Sequence, residues 1–379
     1  MSEEPSRLAA ELEALINDQP REAGSEGEFA MIDTIKGRIA TAEKPRIEGF
    51  VGHSSPEVVV GIHALLLLIV GLVGMVQPAL AAGICALVTA SLVAEGIGTM
   101  SAVRWVLRKS PSYNLVAKLP AKDAVGTVVF VAPLDSRRWR PQVAGRMIKR
   151  PLKGVLAAAL VVTVIVGLRA LAEPWGKPTI GLYVGSLAVL AVTMVVGAIA
   201  HRRHYVGSGD VSDLAVVVEL LHRFHERPTE LLDAYFLFAG CSRAHQDGVH
   251  AFIDRREKNF KRPVLFIGLE EPSRVPLAAT VSEGSLWAQH HRPTGPALIE
   301  RLRWAGVKIS MMDRPGATNS RAAMARGFRA MTICGGDGQE DLTQVEAAAD
   351  VAERVARWFE EDLARSVSGK RTSEANEFA

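Results

Sequence analysis

The sequence predicts an α/β domain interrupted by two apolar helical hairpins. Three observations carry this. Two pairs of long apolar runs are each split by a short polar break. Short β-branched runs alternate with amphipathic stretches across the rest of the chain, as expected of a largely parallel, covered sheet. Several of those runs end in loops holding Asp, Cys or Glu, where open α/β sheets form their sites.

Residues 58–76 carry no formal charge, and after Gln77-Pro78 the apolar character continues to Met100. Residues 154–172 and 178–200 repeat the pattern around the link 173–177. Each run is about the ~20 residues that cross a bilayer as a helix. The expectation is four transmembrane helices in two inserted hairpins, at 58–100 and 154–200. Residues 1–57, 101–153 and 201–365 would then share one side of the membrane and build one domain, with 366–379 a disordered tail.

Of 379 residues, 48% are hydrophobic and the net charge is +3. The charge is uneven: residues 1–57 hold 6 basic and 12 acidic side chains, and residues 101–153 hold 12 and 2. Lys and Arg near apolar spans mark the cytoplasmic side. Arg104, Arg108 and Lys109 follow the first hairpin, and Arg146, Lys149, Arg150 and Lys153 precede the second. The expectation is an inner-membrane protein with its domain in the cytoplasm, in contact with membrane lipid. The same placement accounts for the basic block without nucleic acid. The acidic start is unlike a cleavable signal peptide. Cys85, Cys241 and Cys334 are too few and scattered for a disulfide framework.

The elements follow in order. Residues 6–16 read as an amphipathic helix ended by Pro20, and 29–40 as a second helix. Residues 112–119 alternate like a strand, and 127–132 form a buried strand ending at Pro133-Leu-Asp-Ser. After the second hairpin come a helix at 213–225, with Ser212 as its N-cap, and a strand at 234–239 broken by Gly240-Cys-Ser. Further strands are read at 263–269, 307–311 and 330–334. Helices are read at 247–256, 318–325 and 342–364.

The segments PREAGSEGE, SYNLVAKLP, VVFVAPLDS, GSGDVSDLAVVVELL, FLFAGCSRAHQDGVHAFI and VLFIGLE follow one another in an order and spacing that resembles M28-type zinc aminopeptidases, in particular those with membrane hairpins inserted in the catalytic domain. The resemblance covers nearly all the chain outside the apolar runs. It implies a zinc-exopeptidase-like three-layer α/β/α domain with a mixed, largely parallel sheet. It further implies two zinc ions sharing a water, bridged by an Asp, completed by two His and two carboxylates, with a Glu as base. Paired metals clamp the nucleophile and polarise the scissile carbonyl.

Carried over residue by residue, that site is degenerate. The first His falls on Pro133, which has no side-chain donor, although the orienting Asp135 remains. The bridging Asp falls on Asp210. The Glu-Glu pair, base then ligand, falls on Cys241-Ser242. The next carboxylate falls on Glu270. The last His would lie in 335–341, which contains none. Without a metal, Asp210 and Glu270 must be solvated, protonated or paired with a cation such as a nearby Arg. Histidines at 201, 204, 245, 250, 290 and 291 read as surface or interfacial groups, and His63 as a helix–helix hydrogen bond. The resulting expectation is a pseudopeptidase with no cofactor, acting in binding or scaffolding with a peptide or a membrane protein as partner. A zinc peptidase with substituted ligands is the alternative, and a transporter component a weaker one.

Overall fold

Four strands run parallel through the centre of the computed structural model: β3 (Gly126–Pro133), β4 (Leu232–Ala239), β5 (Val264–Glu270) and β9 (Arg329–Gly335). The structure describes residues 6–16, 20–39, 44–53, 56–96, 109–136, 138–139, 142–143, 146–147, 151–172, 204–205, 210–283, 289–290, 294–314, 318–336 and 338–377. Every residue of β3, β4 and β5 is buried. Such unbroken apolar runs are what a sheet covered on both faces requires.

Five more strands extend the sheet: β1 (Arg46–Gly52), β2 (Ser110–Leu119), β6 (Leu277–Glu283), β7 (Gln289–His290) and β8 (Ser310–Arg314). The order is β1-β2-β4-β3-β5-β9-β6-β7, with β8 also on β6. β2 lies antiparallel to β4 and β1 antiparallel to β2, while β6 is antiparallel to β9. The sheet is therefore mixed with a parallel centre.

Side chains alternate between two cores, as the strand period of two demands. One face of β3 presents Val128, Phe130 and Ala132 to a core shared with the helices α1 (Arg7–Leu15), α2 (Glu26–Ile39), α6 (Ser212–Glu226) and α11 (Thr343–Glu377). There Phe224 meets Phe130 edge-on at 5.2 Å. The other face presents Val129 and Val131 to α8 (Asp247–Arg256) and α10 (Asn319–Ala325). Phe260 sits at its centre, 5.7–6.1 Å from the rings of Tyr235, Phe252, Phe266 and Phe328. Sheet between helices makes the three layers that the resemblance implied.

The expectation of four transmembrane helices is corrected. The apolar runs form α3 (Pro56–Val73), α4 (Pro78–Gly96) and α5 (Pro151–Ala172). Among the described residues no helix is long and apolar enough to cross a membrane. The first run and its helix do not coincide: α3 stops at Val73, and residues 74–76 form a turn. α3, α4 and α5 have 18, 19 and 22 residues. α5 carries Lys153 and Arg169 within its span. The three helices pack on one another through Leu67, Val70, Cys85, Leu92, Ala159 and Val162. Polar groups join them. Thr89 meets Thr163 at 2.9 Å, and His63 bonds Ser91 Oγ and the Val59 carbonyl. The inner-membrane assignment falls with the spans that carried it. The fourth expected span, 178–200, lies outside the described residues.

Smaller differences have local causes. The helix expected to start after Ser212 begins at Ser212, and the Asp210 carboxylate accepts the Ser212 N–H at 2.8 Å. The final helix continues to Glu377 instead of ending at residue 364. Strand β1 was not read from the sequence, because its residues are mostly exposed and mixed in polarity.

Candidate functional site

The carboxyl ends of the parallel strands converge on one buried polar cluster. β3 delivers Asp135, β4 delivers Cys241, Ser242 and Arg243, and β5 delivers Glu270 and Glu271. The loop before α6 delivers Asp210, and its first turn Asp213. Pro133 closes β3 opposite Ala239. The sequence-derived residues Asp135, Asp210, Cys241, Ser242 and Glu270 thus occupy one end of the sheet, beside Pro133.

The loops are wound tightly to achieve this. Cys241, Gln246 and Glu271 have φ values of 44°, 55° and 48°, a left-handed conformation uncommon for non-glycine residues. The turn at Cys241 leads into α7 (Ser242–His245) and points the Ser242 and Arg243 N–H groups at Asp135. The Asp135 carboxylate accepts both, at 2.9 and 2.9–3.0 Å. Gly240 fits only because it has no side chain. A Cβ there would overlap the Glu28 carboxylate, Ser112 Oγ and the Tyr113 carbonyl.

Arginines occupy the middle of the cluster. Arg243 donates through Nη2 to Asp213 at 2.5 Å, through Nη1 to Glu271 at 3.0 Å and through Nε to the Asp135 carbonyl at 3.0 Å. Its side chain is 11% exposed, against 0% and 4% for the two carboxylates. Arg314, at the end of β8, pairs with Glu270 at 2.9 Å. Arg21 is buried, donating to the carbonyls of Leu134 and Asp210 at 3.0 Å each. Asp210 also accepts a 2.6 Å bond from Ser273. Ser242 Oγ bonds Asn319 Oδ1, and the Asn319 N–H reaches Glu270 at 3.3 Å.

Burial dominates the electrostatics. It pushes the Asp213 carboxyl up to about 7, the Arg243 charge offsetting only part of the effect. Glu28, desolvated and near Asp135, also rises to about 7. Burial raises Asp135 as well, against its hydrogen bonds from Arg243. It raises the Cys241 thiol far above its ordinary value, helped by Glu28 and Asp135. Arg243 is held more firmly protonated than usual, the Asp213 and Glu271 charges outweighing its burial.

A pair of zinc ions does not fit these residues. Pro133 offers no donor. The Cys241 thiol resists ionisation, and the thiolate is the form that binds metal. Ser242 is engaged by Asn319, Glu270 by Arg314, and Asp210 by Ser273 and its own helix cap. Among the described residues no group of three or more His, Cys, Asp and Glu is arranged to hold a metal ion. Among the described residues no histidine joins such a group. His204 and His290 lie in two-residue strands and His250 on α8, and His201 and His291 lie outside the described residues.

Sequence reading missed Arg21, Arg243, Arg314, Asp213 and Glu271. The available signal was charge balance. Several carboxylates converging at strand ends demand cations once imidazoles are missing, and Arg243 directly follows the Cys-Ser pair.

No family model matches the chain, and no curated protein matches it. Among solved structures the chain is similar to the zinc aminopeptidase BSAP from Bacillus subtilis, at 10% identity and TM-score 0.38, over 65% of this chain and 50% of that one. It is similar to an aminopeptidase from Aneurinibacillus sp. strain AM-1, at 12% identity and TM-score 0.48, over 92% and 91%. It is also similar to the glutaminyl cyclase of Fimbriiglobus ruber, at 13% identity and TM-score 0.46, over 93% and 94%. The chain thus spans half the length of the first and nearly all of the other two.

Proposed function

We propose that this chain is a peptidase-like module without peptidase chemistry, whose role is binding or scaffolding. The observation that carries the reading is Arg243. Its guanidinium lies among Asp135, Asp213 and Glu271, supplying from the protein the positive charge that the resemblance assigns to metal ions. An arginine gives fixed charge and directed hydrogen bonds, but no open coordination position to activate water. The general base of the resembling family falls on Cys241, which is buried and neutral at ordinary pH.

The test is metal content and turnover of the purified full chain after equilibration with zinc. The expected result is well under one zinc per chain and no aminopeptidase turnover above background, with Asp210→Ala changing neither. Two tightly held zinc ions, lost together with a peptidase activity in Asp210→Ala, would overturn the reading.

A further inference from the structure

The end of the sheet opposite the carboxyl cluster holds a cavity of about 720 Å³. This lies within the ~300–1,000 Å³ typical of small-molecule sites. Four cationic residues line it: Lys44, Arg46, Lys118 and Arg256. We infer that this cavity binds a small organic dianion, a phosphate monoester or a dicarboxylate, through Lys44 and Arg46.

The sheet register explains how the charges meet. Arg46 pairs with Val116, and Lys118 pairs with Tyr235 of β4. Lys44 lies two residues before β1, and Lys44 and Lys118 line the same cavity. Two of the four cations are already neutralised. Lys118 bonds Asp233 at 2.8 Å, and Arg256 pairs with Glu48, which Arg255 also approaches at 3.4 Å. No hydrogen bond or ion pair among the described residues takes up Lys44 or Arg46. Both are exposed, and both stand on the rim of the cavity.

The surroundings suit an organic anion better than a bare ion. Pro45 and Val116 give apolar wall, and the amide of Asn259 adds a donor and an acceptor. The Arg46 fork matches the two oxygens of a phosphate or carboxylate. Two residues apart, Arg46 and Lys44 lie at most roughly 7 Å from each other along the backbone. Their flexible side chains can close that spacing on a single dianionic group.

Isothermal titration calorimetry of the full chain with AMP, malate and adenosine, in about 50 mM salt, tests this. The expected result is saturable binding of AMP, malate or both, tighter than about 1 mM, and none of adenosine. AMP alone assigns a phosphate ester, malate alone a dicarboxylate, and both the shared dianion chemistry. The double substitution Lys44→Glu and Arg46→Glu, checked for folding by circular dichroism, should weaken binding at least about tenfold. Raising salt to about 500 mM should weaken wild-type binding by a similar factor. The inference is overturned if neither anion binds saturably, if adenosine binds as well as AMP, if the folded double variant keeps its affinity, or if binding is insensitive to salt.

Discussion

Replacing Arg243 with Met removes the charge and keeps most of the volume. In the native fold the guanidinium contacts Asp213 and Glu271, both essentially buried. Removing one member of a buried pair leaves its partner charged and desolvated, at a cost of about 3–5 kcal/mol. That is a large fraction of the ~5–15 kcal/mol that holds a domain together. The cost must depend on pH. Asp213 titrates at about 7 in the fold, against 3.8 when solvated. Between those values the native state keeps a proton that the unfolded state has released, so raising pH erodes stability until Asp213 ionises near 7. At pH 8 the wild type then holds a charged Asp213 against Arg243 and Arg21, and the variant loses the stronger of these two charges. At pH 5 Asp213 is neutral in both. Urea denaturation should therefore show Arg243→Met losing about 3–5 kcal/mol at pH 8 and less than about 2 kcal/mol at pH 5. Arg243→Lys keeps a charge without the fork and should fall between the two proteins. A loss below about 1 kcal/mol at pH 8, or an equal loss at both pH values, would refute the placement of Arg243 as the internal counter-ion.

Three further outcomes follow from the same structure. Burial raises Glu283 to about 7 while its carboxylate accepts the Thr318 N–H at 2.6 Å, so Glu283→Gln should gain about 1–3 kcal/mol at pH 8 and nothing at pH 5, read by thermal unfolding at each pH. Phe260→Ala empties the centre of four aromatic contacts and should cost about 3–5 kcal/mol in chemical denaturation; a loss under about 1 kcal/mol would mean the cluster is not packed as described. Gly240→Ala forces a methyl group into Glu28, Ser112 and Tyr113, and should cost about 1–3 kcal/mol, while Gly37→Ala, with open space around it, should stay within about 0.5 kcal/mol of wild type or gain slightly.

Much of the sheet was legible because its central strands are unbroken apolar runs. β3 and β4 were read within one or two residues, since VVFVA and YFLFA are short, unbroken runs rich in β-branched and aromatic residues. β6 was missed because LAATVSE carries small and polar residues that gain their burial only from neighbours distant in sequence. The convergence of Asp135, Cys241 and Glu270 was legible from their positions after strands, while Asp210 and Ser242 came only from the resemblance. Their partners were not. The hydrogen bond from Ser273 to Asp210 and the ion pair of Arg314 with Glu270 join segments 44–63 residues apart, and no local pattern marks them. The apolar runs misled for the opposite reason. Composition counts residues regardless of where a helix starts and stops, and the turn at 74–76 lies inside a run that hydropathy alone reads as continuous.

The pairing of Gly52 with Ser110 has a consequence for how the chain assembles. β1 and β2 are antiparallel neighbours in unshifted register, yet the chain leaves at one and returns at the other through the whole of 53–109, including α3 and α4. In topological terms the strands form a hairpin whose turn has been replaced by a long excursion. Closing a loop of that length instead of a four-residue turn costs roughly 2 kcal/mol of chain entropy. Contacts at the carboxyl end, where the tip of β1 brings Gly52 against Cys241, must form across that loop. The pairing of β1 with β2 thus waits on chain diffusion across that loop, and a short turn joining Gly52 to Ser110 would make it local and fast.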